Sequence, residues 1–321
     1  MPSGGDPDLR VATASAAEPD TQGTRGDGAL AVDRLLPWFA EHGRDLPWRD
    51  PDAGPWAVLV SEIMLQQTPV VRVLPVYRAW LQRWPRPADL AADAPGDAIR
   101  AWDRLGYPRR ALRLHACATA ITVDHGGVVP DDVPTLLTLP GIGEYTARAV
   151  AAFAFRQRVP VVDTNVRRVL TRAVRGRDEP REPATTRDRA ELETLLPPDP
   201  EQSARYSAAL MELGALICTA RSPDCDRCPV QDRCVWHRGG RVAGVARRAV
   251  QTWHGTDRQI RGRMMAVLRA AEHPVATTDL LAVADDTDQA RRCLDGLLAD
   301  GLATAAAPDP ATGAETMTLP R

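Results

Sequence analysis

The chain has 321 residues, a net charge of -2 and 44% apolar residues, a length that allows about two or three domains with cores of their own. All 40 basic residues are arginine, so a mechanism built on a lysine Schiff base is excluded, apart from whatever the N-terminal amine could do. No apolar run approaches the ~20 residues of a membrane span and no signal-peptide h-region opens the chain, so the expectation is a soluble, cytoplasmic protein with no membrane partner.

Residues 1–27, rich in Gly, Asp, Ala and Pro, predict a disordered tail. From there the chain reads as helical. Apolar residues recur at steps of three and four near 29–41, 56–66, 70–83, 96–105, 109–125, 132–139, 144–156, 162–174, 187–196 and 203–217, with Pro, Gly and Asp between.

Within 56–66, the run Trp56 to Leu65 carries apolar residues on nearly every face, so Glu62 is expected close to the core. Burial raises a carboxyl pKa and keeps it protonated near neutrality, as a general acid requires; pairing with an arginine or capping a helix is the other reading. The segment Leu139-Pro140-Gly141-Ile142-Gly143 joins two helices. Its glycines suit a tight hairpin that brings backbone amides to a phosphate oxygen, although many helix–helix turns use glycine for shape alone. Asp163, two residues before Asn165, has the form of a helix N-cap, and a capping Asp at a cleft is also placed to meet a developing positive charge.

Cys218, Cys225, Cys228 and Cys234 follow in a C-x6-C-x2-C-x5-C loop. Four thiolates so close can converge on one point. A single short pair flanked by lone ligands favours a [4Fe–4S] cluster over zinc, whose modules usually pair two C-x2-C knuckles, and a disulfide ranks below both. Cys117 and Cys293 sit singly in helical patterns and read as buried thiols. Residues 241–257 read as a linker. Beyond it, 258–271, 277–284 and 289–300 predict three short helices, and 302–307 with 315–319 predict two strands around Pro308-Asp309-Pro310, together a winged-helix-like module over 258–321.

The segments Ser61-Glu62-Ile63-Met64-Leu65-Gln66-Gln67-Thr68, Leu105-Gly106-Tyr107, Leu139-Pro140-Gly141-Ile142-Gly143, Asp163-Thr164-Asn165-Val166-Arg167-Arg168-Val169 and the cysteine loop resemble the MutY adenine DNA glycosylases of the helix-hairpin-helix, endonuclease III superfamily. The match covers roughly residues 28–240. The hairpin, the Asp and the cluster belong to the whole superfamily, whereas the Glu62 to Thr68 segment points to the adenine branch.

The resemblance implies an all-α fold with a six-helix barrel lobe, about 52–160, and a cluster lobe built from 28–51 and 161–240. It implies a monofunctional enzyme that flips adenine mispaired with 8-oxoguanine or guanine out of double-stranded DNA and hydrolyses its N-glycosidic bond, acting as a monomer. Glu62 would protonate the base, Asp163 would stabilise the oxocarbenium-like sugar, and Asn165 would orient Asp163. Tyr145 takes the place of the lysine that forms a Schiff base in bifunctional relatives, in keeping with the lysine-free composition. Gln67 and Tyr107 would enter the duplex with Thr68 beside them. Arg44, Leu46, Trp48, Arg49 and Glu212 would line the adenine pocket, and Gly141 and Gly143 would grip the DNA backbone. Pro108 replaces the second tyrosine of the usual Leu-Gly-Tyr-Tyr, and the segment after the linker is shorter than the NUDIX-like domain of many MutY proteins. The alternatives are a thymine or uracil mismatch glycosylase of the same fold, which Glu62 with Gln66-Gln67-Thr68 disfavours, and a non-catalytic iron–sulfur DNA-binding protein.

Overall fold

The computed structural model describes residues 30–178, 186–242 and 255–321. The expected tail at 1–27 and most of the expected linker at 241–257 lie outside these residues. The first stretches form α1 (Val32–His42), α2 (Pro55–Leu65), α3 (Val70–Arg83), α4 (Pro87–Ala92), α5 (Pro95–Ala101), α6 (Arg109–Asp124), α7 (Val133–Leu136), α8 (Glu144–Phe155), α9 (Thr164–Ala173), α10 (Thr186–Leu195), α11 (Pro200–Leu216) and α12 (Val235–Arg238). Pro55, Pro87, Pro95 and Pro200 each stand in a first helical turn, where a missing N–H costs no intrahelical bond and a fixed φ is already helical. Asp132, Asp163 and Asp199 cap their helices by accepting from the N–H groups of Thr135, Val166 and Gln202.

The expected helices are corrected at several ends: that over 132–139 is confined to Val133–Leu136, and that over 277–284 stops at Leu281. The six residues of α4 are too few to show a helical repeat and were not expected as a helix. The helix expected over 96–105 stops at Ala101, because the chain then turns through Asp103, Gly106 and Tyr107, all at positive φ.

Buried side chains gather in two cores. The first fills the space among α2, α3, α5, α6 and α8 with Leu59, Ile63, Trp80, Trp102, Leu114 and Val150. Each fully buried aliphatic side chain of this kind contributes roughly 1.5–3 kcal/mol. The second joins α1 to α9, α10 and α11 through Leu35, Trp38, Leu170, Leu192, Leu210 and Leu213. Segments from before and after the first core therefore share one interior, and Tyr206 fastens them by donating its hydroxyl to the Leu30 carbonyl at 2.7 Å.

The C-terminal segment consists of α13 (Asp257–Ala270), β1 (Val275–Ala276), α14 (Thr277–Leu281), α15 (Thr287–Ala299), β2 (Thr304–Ala306) and β3 (Thr316–Thr318). The strands form an antiparallel sheet in the order β1-β3-β2, with Met317 between Val275 and Ala305. Strand β1, two residues long, was not expected. The loop between β2 and β3 is wider than the predicted turn, and the Asp309 carboxylate stabilises it by accepting from the N–H groups of Ala311 and Thr312. Ile260, Met264, Leu268 and Leu319 of this segment belong to the first core, so it has no separate interior.

Candidate functional site

Helix α2 is buried on almost all sides because it packs against α3, α6 and α8. The small side chains of α8, Ala147 and Ala151 among them, let the two helices approach closely and bring Tyr145 to Glu62. Glu62 is 4% exposed. Burial pushes its carboxyl up to about 7; a hydrogen bond from the Tyr145 hydroxyl opposes the shift, Asp163 reinforces it and the Arg49 charge lowers it. Burial also drives the Tyr145 hydroxyl well above its ordinary range, with the Glu62 and Asp163 charges adding to the effect.

Asp163 holds the N-terminus of α9. Its Oδ1 accepts from the Val166 N–H at 2.7 Å and its Oδ2 from the Asn165 amide at 2.8 Å, and the Asn165 carbonyl oxygen in turn accepts from Arg168 at 2.8 Å. Burial, the largest influence, raises this carboxyl as well, and the bonds from Val166 and Asn165 and the Arg168 charge offset part of that rise. The capping reading of Asp163 is the one the structure shows. The two coupled carboxyls are thus both raised by burial but differ in their donors: Asp163 receives two within α9, whereas Glu62 receives the Tyr145 hydroxyl.

Glu212, on α11 and 1% exposed, accepts from the Arg44 Nε at 2.7 Å, the Arg44 backbone N–H at 3.0 Å and Arg49 at 2.8 Å. Burial alone would raise its pKa; the bonds and charges of Arg44 and Arg49 outweigh it and bring the carboxyl down to about 2. Leu46 and Trp48 are buried in the first core, with Trp48 edge-on to Tyr77 at 5.1 Å. Through Arg49 this cluster reaches Glu62 electrostatically, so the expected pocket residues and the two carboxyls form one neighbourhood.

Gln67 and Tyr107 stand on separate turns, both exposed and both at positive φ, 56° and 48°. The residue that joins them, Arg110, was missed in the sequence. It lies on α6, 6% exposed, and donates to the carbonyls of Ile63 at 2.9 Å, Gln66 at 2.5 Å and Gly106 at 3.0 Å. It also donates to the Thr68 hydroxyl at 2.8 Å, and that hydroxyl donates on to the Leu105 carbonyl at 3.2 Å. Thr68 is therefore buried and occupied in tying the turns together. Burial lowers the Arg110 pKa to about 10, which leaves the guanidinium charged. One arginine among 40 carries no signal in composition, and only the fold brings two turns to it.

The hairpin separates its two glycines by role. Gly141 has φ +78° and a Cβ there would lie 2.7 Å from Arg113 Cβ, so shape demands glycine. Gly143 precedes α8 at an ordinary φ of -107°, and nothing lies within 4 Å of where its Cβ would be. The N-terminal turn of α8 is open to an approaching anion.

The four loop cysteines are free thiols that line a single pocket with Arg172, Ile217 and Trp236, beside the second core. Burial, with the neighbouring sulfurs adding to it, pushes the Cys228 thiol up to about 12; thiolates so crowded call for a cationic partner. Arg172 donates to Cys218 Sγ at 3.5 Å and stacks over Trp236 at 4.8 Å. An all-thiolate donor set with a buried guanidinium beside it fits a [4Fe–4S] cluster, whose ligated form is anionic.

The HhH-GPD superfamily of base excision DNA repair proteins matches residues 60–195, and the iron–sulfur binding domain of endonuclease III matches 218–234. An adenine DNA glycosylase of Mycobacterium tuberculosis is 53% identical over 290 residues, covering 89% of this chain and 93% of that protein. The adenine DNA glycosylase of Homo sapiens is 41% identical over 62% of this chain and 38% of its own length. Among solved structures, a thermostable thymine-DNA glycosylase is similar with TM-score 0.57 at 27% identity over 65% of this chain and 95% of that chain. An endonuclease III–DNA complex shares the fold, with TM-score 0.58 at 22% identity over 68% of this chain and 100% of that chain. The chain belongs to the adenine DNA glycosylase family.

Proposed function

We propose that this enzyme excises adenine mispaired with 8-oxoguanine or guanine from double-stranded DNA, with Glu62 as the acid and Asp163 as the stabilising carboxylate. The observation that carries the reading is the unequal pair: Glu62 is buried with the Tyr145 hydroxyl as its donor and titrates near 7, whereas Asp163 accepts from Val166 and Asn165. Adenine leaves poorly as an anion. Glu62 therefore gives its proton to a ring nitrogen of the flipped base, the bond from the base to C1′ breaks with its electron pair going to the base, and positive charge develops on the sugar. Asp163, ionised on the cap of α9, faces that charge. A water then adds to C1′ and returns a proton to the Glu62 carboxylate. Arg44, Arg49 and Glu212 fix the wall of the adenine pocket beside Leu46 and Trp48. Gln67 and Tyr107 fill the gap left in the duplex, and Gly141 and Gly143 present the open helix terminus to a phosphate. The [4Fe–4S] cluster, when bound by the four cysteines, cross-links the loop 218–234 and so supports the second lobe.

The reading divides the chain into a barrel lobe, a cluster lobe and a C-terminal module, acting as a monomer. The test is incubation with duplexes carrying A opposite 8-oxoguanine, A opposite G, T opposite G and U opposite G, followed by hot alkali. Breaks confined to the adenine strands support it; breaks at T or U favour the thymine or uracil alternative.

A further inference from the structure

The C-terminal segment is fixed against the first core at several points. The Gly96 N–H donates to the Pro320 carbonyl at 2.8 Å, and a Cβ at Gly96 would lie 2.5 Å from that oxygen; only glycine admits the chain so close. One nitrogen of Arg100, on α5, donates to the carbonyls of Arg269 and Ala271 at 2.8 Å each, where the C-terminal end of α13 favours a positive charge. Arg109 of α6 pairs with Asp300 at 3.1 Å. With its C-terminal end held in this way, α13 runs toward the turn at Tyr107.

At the opposite end of α13, the Arg258 guanidinium lies 4.8 Å from the Tyr107 ring centroid, and the buried Arg110 guanidinium lies 5.6 Å from the same ring. Tyr107 is 43% exposed and sits at positive φ. Two guanidiniums, one from α6 and one from the C-terminal module, thus bear on one exposed ring.

We propose that Arg258 is a positioning residue that holds Tyr107 in the orientation in which it enters the duplex, which makes the C-terminal module a part of the mispair-recognition surface. The inference rests on the reading that Tyr107 enters the DNA. Exposed cation–π contacts of this kind correspond to about a two- to fivefold effect.

The test is a double-mutant cycle on the full chain, read as the single-turnover second-order rate constant for base release from A opposite 8-oxoguanine, with binding to undamaged duplex measured across salt concentrations. Arg258→Ala is expected to lower the rate constant about two- to fivefold, Arg258→Lys to restore part of the loss, and Arg258→Ala to have no further effect in a Tyr107→Ala background. Thermal midpoint and affinity for undamaged duplex should stay unchanged. An equal loss in both backgrounds overturns the proposal, as does a parallel loss on undamaged duplex with a shallower salt dependence, the signature of a phosphate contact. If Tyr107→Ala itself is silent, the reading of Tyr107 fails and the proposal with it; an active Tyr107→Ala with additive Arg258→Ala sinks the proposal alone.

Discussion

The side-chain amide of Asn165 lies 2.8 Å from Asp163 Oδ2, leaving Oδ1 to cap α9 through the Val166 N–H. Both oxygens thereby receive donors, which favours an anion in a buried place. Asn165→Asp replaces that donor with a second carboxylate, and Asn165→Leu removes it. Either change is expected to slow base release by about 10- to 100-fold, a loss of roughly 1.4–2.7 kcal/mol in the transition state. Single-turnover kinetics at saturating enzyme check this, with binding to undamaged duplex as the control.

Glu62 ties activity and stability to pH in the same direction. Its folded pKa is about 7 against an ordinary 4.5, so the folded state holds the proton more tightly. That contribution is complete below about pH 4.5 and is lost as pH rises through 7, a swing of ~3 kcal/mol. Glu62→Gln should therefore abolish base release yet raise the thermal midpoint at pH 8, with the gain vanishing near pH 5. Wild-type base release should decline above pH 7. A variant less stable than wild type at pH 8 would contradict the burial account.

The opposite sign holds for Glu212, whose folded pKa is near 2. Its contribution is present above the ordinary glutamate pKa and is lost as pH falls through the folded value. Glu212→Gln leaves Arg44 and Arg49 without their carboxylate, a cost of about 2–4 kcal/mol at pH 7. Denaturant melts at pH 7 and pH 3 should show that difference shrinking in acid.

Arg110→Lys keeps the charge but loses the planar fork that reaches two turns at once. At least one of the carbonyls of Ile63, Gln66 and Gly106 then loses its donor, at about 1–3 kcal/mol. The expected result is a lower thermal midpoint together with weaker discrimination between A opposite 8-oxoguanine and A opposite T, because Gln67 and Tyr107 are no longer held to each other. Unchanged discrimination would show that the two turns act independently.

Borohydride should trap no covalent adduct between the protein and DNA, since Tyr145 is a phenol and the chain contains no lysine. Tyr145→Lys places an amine beside Glu62 and is expected to give detectable trapping on abasic DNA, resolved by denaturing electrophoresis. Efficient trapping by the wild type, retained without residues 1–27, would overturn this mechanism.

Local rules sufficed for much of this molecule. Helix periodicity, with Pro69 and Gly143 just outside the helices, gave α3 and α8 to within a residue at each end, because these are short-range preferences. The four cysteines and the Glu62 to Thr68 segment were legible as chemistry because the residue types and spacing carry it. Other features belong to the tertiary structure alone. Whether Glu62 keeps its proton depends on how closely α8 packs against α2 and on Tyr145 meeting it there. Glu212 is separated from Arg44 by 168 positions, and only the packing of α11 against the segment after α1 makes them a pair. Arg110, Arg172 and Arg258 look alike in sequence; the fold buries one between two turns, one beside the cysteine pocket, and sets the third over Tyr107, because long-range packing decides which donors each guanidinium can reach.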